Sequence, residues 1–326
     1  IPVRVSVIIP TPKRDELLAR APAGVAAQAH RELELIVVDD GSTPDQSARN
    51  AQVVRSLAGA RHLQLQPHDA DGSGPSNVRN AGIAAASGDL VAFCDDDDQW
   101  CAPGFLAAAV AEFSADAGLD ILFGDQEAVA NGVLQHAKWQ PQLDALVDAR
   151  GARPGRATRV ARQECLVSPG EFAHMNTCVF RRALLADIDG FDGTIRYCED
   201  MDLFVRAADR ARAIAYLRHT VARHHAPDRS QRDNASTRLG EQGRNVTLDR
   251  IATRLVERCT TPEARAYGRR LGALACRKLA REAASAARRD EALAWARRAG
   301  AWQPTLRWSL YTQALRWRAL GARLAP

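Results

Sequence analysis

The sequence predicts an α/β fold: a mostly parallel, doubly wound central sheet flanked by helices, followed by a C-terminal α-helical appendage. Three observations carry this. Strand-like apolar runs alternate with helix-like stretches through the first half of the 326 residues. Two of those runs end in carboxylates, and in such sheets ligands bind beyond the carboxyl ends of the strands. From about residue 235 the pattern becomes helical and basic.

The strand runs are VSVIIP (5–10), LELIVVDD (33–40), HLQLQ (62–66), DLVAFCDD (89–96) and DILFG (120–124). Between them 15–29, 43–58, 76–87 and 104–117 read as helices. The opening apolar residues are few and carry no small-residue cleavage site, so they read as a buried strand. RGARPGRATR (150–159), basic and rich in turn formers, reads as a mobile loop. A helix is expected near Asp200, with Met201, Phe204, Ala208 and Ala211 on one face. AIAYL (213–217) reads as a strand, and 223–234, nearly without apolar residues, as a surface loop. Helices follow at 235–258, 262–288, 290–299 and 304–322, punctuated by Pro262 and Pro304. The expected domains are 1–234 and a basic helical region over 235–326.

Composition narrows the class. An apolar content of 46% supplies a substantial core and argues against global disorder. No run approaches the length of a membrane-spanning helix. The seven cysteines are scattered and form no CxxC pair, which disfavours a zinc site or a disulfide framework and fits a cytoplasmic location. The net charge of +5 conceals an asymmetry: residues 241–326 hold 18 basic and 7 acidic side chains, net +11, and the rest is net −6.

Asp95 to Asp98 form an acidic run directly after a buried strand. Adjacent like charges repel, the more so when partly buried. A divalent cation relieves this, and hard carboxylate oxygens suit magnesium or manganese, which complete their shells with substrate phosphates. The alternative is a solvated acidic turn. Asp40, before Gly41 and Ser42, reads either as a ligand contact or as a turn into a capped helix. Arg79, taken by itself, reads as a helix-surface arginine.

Four pieces occur in a telling order: VSVIIPTPKR, LELIVVDDGS, SNVRNAGIAAASGDLVAFCDDDDQW and CEDMDLFVR. Together they resemble glycosyltransferase family 2, of the GT-A fold, over roughly residues 3–230. The resemblance implies a nucleotide-diphosphate sugar donor, a glycan or lipid-linked acceptor, and a divalent metal, Mn2+ or Mg2+. It implies that Asp40 contacts the nucleotide base, that Arg79 lies near the nucleotide, and that Pro10 and Thr11 belong with them at the donor site. Asp95-Asp96-Asp97 match the DXD motif; Asp97 would bind the metal, and Asp95 and Asp96 would serve the ribose and a metal-bound water. The family usually reads PTYNR where this chain reads PTPKR, so Pro12 stands where an aromatic ring often packs on the base.

Inverting sugar transfer needs a base for the acceptor hydroxyl and charge stabilisation for the leaving diphosphate. CEDMDLFVR resembles the family's ED motif, which makes Asp200 the base with Glu199 beside it; their other reading is as acids that complement a helix N-terminus. His224 is a candidate third metal contact. His174 and Trp100 are candidates for the acceptor side, and a core role suits either.

The basic tail carries Trp295, Trp302, Trp308, Tyr311 and Trp317 among arginines. Such helices lie on anionic membrane surfaces, here the inner face of the plasma membrane, or pack on the catalytic domain or across a homodimer interface. Gln313-Ala314-Leu315-Arg316-Trp317 matches QxxRW of processive synthases but lies too far from Asp200 to read as that motif. A catalytically inactive scaffold is the alternative to an enzyme. The tail has the charge for nucleic acid but no recognised motif, and none is expected to bind.

Overall fold

The computed structural model describes residues 3–11, 20–55, 60–65, 72–169, 172–226 and 239–324. Pro12, the start of the helix expected at 15–29, and most of the loop expected at 223–234 lie outside them. Contacts divide the chain into two compact units, Ile1–Cys165 with Glu171–Asp228, and Leu166–Gly170 with Arg229–Pro326.

The first unit opens with β1 (Val5–Thr11), α1 (Arg20–Ala26), β2 (Leu33–Asp40), α2 (Pro44–Arg55), β3 (Ala60–Leu65), α3 (Pro75–Ala85) and β4 (Leu90–Phe93). These strands form the parallel part of the sheet, in the order β3-β2-β1-β4. The runs of β1, β2 and β4 are buried almost throughout, as parallel strands covered on both faces require, whereas β3 at the sheet edge is only partly buried. Register sets Pro10 and Thr11 beside Val38 and Asp39, so the first acidic group emerges next to the end of β1. A Cβ on Gly82 would overlap Ile8, and this missing side chain lets α3 lie close on β1.

Next come β5 (Gln99–Trp100), α4 (Phe105–Ala115), β6 (Leu119–Ala130), β7 (Val133–His136), α5 (Pro141–Ala149), β8 (Ala157–Val160), α6 (Arg162–Cys165), β9 (Cys178–Arg181), α7 (Arg182–Asp187), α8 (Glu199–Arg210) and β10 (Ala213–His225). Here the sheet departs from the doubly wound parallel pattern. β9 inserts between β4 and β6, antiparallel to both, and β6 pairs parallel with β10. The stretch expected as a loop at 150–159 supplies the start of β8, which pairs antiparallel with β10. β10 itself runs well past Leu217 to His225, so the first three residues of the expected loop are strand. A buried cluster joins β1, β2, β4 and β6 to α4 through Phe105, Leu106, Ala109 and Phe113. Beneath it, Glu34 accepts hydrogen bonds from Ser6 Oγ at 2.6 Å, Ser87 N at 2.6 Å and Ser87 Oγ at 2.8 Å.

The second unit is helical among its described residues: α9 (Glu241–Arg258), α10 (Pro262–Ser285), α11 (Arg289–Trp302) and α12 (Leu306–Leu324). Its core is lined by small side chains, Cys276, Ala280, Ala283, Ala292, Ala296 and Ala299, closed by Trp308 and Leu315. Buried Asp249 organises it, accepting from Arg298 Nε and Trp302 Nε1, each at 2.8 Å. Among the described residues no helix is long and apolar enough to cross a membrane.

Candidate active site

The acidic run follows β4 as a tight turn, closed by Asp98 N donating to Asp95 O at 3.1 Å. That turn points successive carboxylates in different directions. Asp95 takes Arg79 Nη2 at 2.6 Å, whereas Asp98 turns into the protein and is fully buried. Asp96 is also buried and Asp97 half-buried.

Arg79 belongs to α3 and is only 6% exposed, not the surface arginine of the alternative reading. Its Nη1 donates to Glu199 Oε1 at 2.8 Å, so one guanidinium joins the two acidic motifs. The helix that carries it also holds the chain leading to α8. Ser76 Oγ donates to Ile195 O at 2.6 Å and Asn80 Nδ2 to Phe191 O at 2.8 Å. Cys198 then adopts a left-handed φ of 56°, which turns the chain into α8 with Glu199 and Asp200 in its first turn.

Asp200 Oδ2 stands 3.8 Å from His174 Nε2. The His174 and His224 rings are 5.1 Å apart, and the Trp139 ring packs edge-on against both. His224 Nδ1 meets Asp98 Oδ2 at 2.9 Å, and His225 N donates to Asp98 Oδ1 at 2.7 Å. Asn176 closes the circuit, donating through Nδ2 to Asp98 and accepting Asp95 N at 2.8 Å through Oδ1. The result is a ring of contacts: Asp95, Arg79, Glu199, Asp200, His174, His224, Asp98, Asn176 and back to Asp95.

Charge within the ring is unevenly held. Burial pushes the Glu199 and Asp200 carboxyls above the usual range. Burial acts the same way on Asp95, but Arg79 outweighs it and holds that carboxyl low. Burial also lowers His174 to about 4, so its imidazole is neutral near pH 7. For His224 burial is outweighed by the bond to Asp98, which raises it to about 9.

Asp98, His174 and His224 each offer a ligand atom, and these atoms lie within 4.8 Å of one another. A carboxylate suits manganese and imidazoles suit first-row transition ions, so this mixed set can hold a divalent transition ion such as manganese. His174 has the neutral ring a metal requires, and His224 would release its proton on binding one. The donor set therefore fits the group. The turn sends Asp98 toward β10, so Asp98 supplies the carboxylate that His224 Nδ1 meets.

The residues expected at the donor site, Pro10, Thr11 and Asp40, lie along the ends of β1 and β2. Thr11 is buried at the end of β1 beside Asp39. Asp40 is 4% exposed, and its two oxygens accept Ser73 N at 2.8 Å and Gly74 N at 3.2 Å. Its visible work is to order the loop that leads into α3. Gly72 (φ 78°) belongs to that loop, and a Cβ there would fall 2.6 Å from Asp40 Oδ2.

Trp100 corrects an expectation. It is 3% exposed in the core, edge-on to Phe105, with Nε1 donating to Asn176 O at 2.7 Å. A ring so enclosed offers no face to an acceptor sugar.

The comparisons agree with this architecture. A family profile described as Glycosyl transferase family 2 matches residues 6–185, more than half of the chain. The chain belongs to glycosyltransferase family 2. The succinoglycan biosynthesis protein ExoU of Rhizobium meliloti is 32% identical over 212 residues, 63% of this chain and 57% of ExoU. The chain spans about half the length of the curated relatives it matches. TarS 1–349 of S. aureus, in complex with UDP-GlcNAc, superposes with a TM-score of 0.63 at 21% identity, covering 92% of this chain and 80% of TarS. The mannosyltransferase PcManGT of Pyrobaculum calidifontis, in complex with GDP-Man and Mn2+, gives a TM-score of 0.59 at 20% identity, over 100% of this chain and 81% of PcManGT. These likenesses show the shared GT-A fold.

Two residues of this family 2 protein escaped the sequence reading. Asn176, fully buried, joins the acidic turn to the His174 segment, and Trp139 walls both histidines. Asn176 sits just before the apolar run CVF, so its only signal is an amide at a strand entrance. Trp139 follows Lys138 in an irregular stretch with no periodic pattern to mark it.

Proposed function

We propose that the protein transfers a sugar from a nucleotide-diphosphate donor to an acceptor hydroxyl with inversion, in the building of a bacterial surface glycan. The observation that carries this is the meeting of two acidic motifs across Arg79, with Asp95 on one side and Glu199 on the other. The kinship with a succinoglycan biosynthesis protein supports the glycan class, and a glycan or lipid-linked acceptor is part of this reading.

In this reading Asp200 is the base. Burial raises its affinity for a proton, which suits the removal of one from a sugar hydroxyl. Glu199 holds Arg79 in place, and Arg79 keeps Asp95 ionised toward the donor. Pro10, Thr11, Asp40 and Asp96 line the donor side, and Trp139 shields the histidines. Asp97, His224, His174 and Asp98 would hold a divalent cation, Mn2+ or Mg2+, which when bound supplies positive charge to the leaving diphosphate.

Calorimetry with a panel of nucleoside diphosphates, with and without manganese, tests the donor site on wild type and Asp97→Ala. Manganese-dependent binding of one nucleotide, lost in the variant, supports the proposal; silence across the panel refutes it. With the matching donor and a competent acceptor, Asp200→Asn is expected to lose transfer by about 10²–10⁴-fold while still binding nucleotide. Near-normal turnover would remove Asp200 from the role of base.

A further inference from the structure

In the second unit α12 is apolar on two opposite sides. Trp308 and Leu315 face inward, 5% and 7% exposed, in the small-residue core, and Tyr311 stacks beside Trp308 with ring centroids 4.7 Å apart. Leu306, Leu310 and Trp317 are 79%, 64% and 72% exposed. At about 100° per residue these three fall within roughly 40° of one another, opposite Trp308 and Leu315. A helix already anchored by one face has no need of a second apolar stripe for its own packing.

The flanks of the stripe are cationic. Exposed Arg307 and Arg316 lie on either side of it, and the helix sequence contains four arginines and no acidic residue. The region from 241 onward is net +11. An apolar ridge of two leucines and a tryptophan between arginines matches an anionic lipid surface: the ridge enters the acyl boundary, and the guanidiniums reach the phosphates. The other tail aromatics are engaged elsewhere. Trp302 donates to Asp249, Trp308 donates to Ala296 O at 2.8 Å, and Trp295 packs against the core.

We infer that the face Leu306–Leu310–Trp317 of α12 docks the protein on an anionic membrane. This stands independently of the transfer reaction, since docking is read without donor or acceptor.

The test is co-sedimentation of the full chain with phosphatidylcholine vesicles, with and without phosphatidylglycerol, at low and high salt. Wild type is expected to bind only the anionic vesicles and to release at high salt. Leu310→Glu and Trp317→Glu, at exposed positions that leave the fold intact by circular dichroism, are each expected to weaken binding by about tenfold or more. Arg307→Gln and Arg316→Gln should each weaken it roughly fivefold. Absence of binding at low salt overturns the inference, as does equal binding by wild type and Leu310→Glu. Concentration-dependent self-association that Leu310→Glu abolishes, without vesicle binding, also overturns it and assigns the face to a second copy of the chain.

Discussion

Arg79 Nη1 lies 2.8 Å from Glu199 Oε1, although 120 residues of chain separate them. The same guanidinium reaches Asp95 with its other nitrogen. A planar fork with fixed donor directions is what lets one side chain span two carboxylates, and a lysine has no such geometry.

Arg79→Met is therefore expected to leave Asp95 and Glu199 as buried, uncompensated acids. Breaking such a pair costs on the order of 3 kcal/mol, to be measured as a shift in the urea midpoint at neutral pH. Arg79→Lys should restore part of that stability. A loss below about 1 kcal/mol in the methionine variant would mean that the network contributes little.

Asp98 orients His224 through its carboxylate. Asp98→Asn keeps the volume but removes the charge that holds the imidazole. Manganese affinity, read by electron paramagnetic resonance of the free ion, should fall about 10–100-fold. Unchanged affinity would show that Asp98 plays no part in a cation site.

Glu34 supplies a pH dependence. Burial opposes its ionisation, but the hydrogen bonds from Ser6 and Ser87 outweigh it and lower its pKa. The folded value lies below the unfolded one, so the stabilisation is complete above the unfolded pKa, about 4.3, and is lost as pH falls through the folded value. Urea midpoints measured downward from pH 6 should decline more steeply in wild type than in Glu34→Gln. Parallel curves would sink this assignment.

Gly72 takes φ 78° against Asp40. Gly72→Ala is expected to cost about 1–2 kcal/mol from the left-handed backbone alone, and to push Asp40 off the Ser73 and Gly74 amides. Nucleotide binding should weaken more than thermal stability does; the reverse ordering would separate the loop from the donor site.

Much of this was legible because the relevant residues obey simple patterns. LELIVVDD reads as a buried strand with acids at its end, and in the structure its burial is continuous to Asp40. The strand over 213–225 was legible only as far as Leu217. Beyond it the chain reads RHTVARHH, and polar residues there are satisfied by partners no local pattern announces. Arg218 pairs with Asp144, Arg223 with Glu127, and His224 with Asp98. The antiparallel insertion of β9 was hidden for a related reason: four residues, CVFR, show neither their neighbours nor their direction. Trp100 left two readings open in the sequence, and its packing on Phe105 and Asn176, distant or unmarked in the local pattern, decides for the core.

The contact ring draws on five separate stretches: α3, the turn after β4, the 174–176 segment, the start of α8 and the end of β10. The family profile stops at residue 185, before Glu199, Asp200 and His224. A fragment cut to that profile would keep Arg79 and Asp95 but lose the three side chains that complete the circuit. The stretch by which the chain is recognised thus holds only part of this ring, and trimming the protein to it would preserve its pedigree while cutting the circuit open.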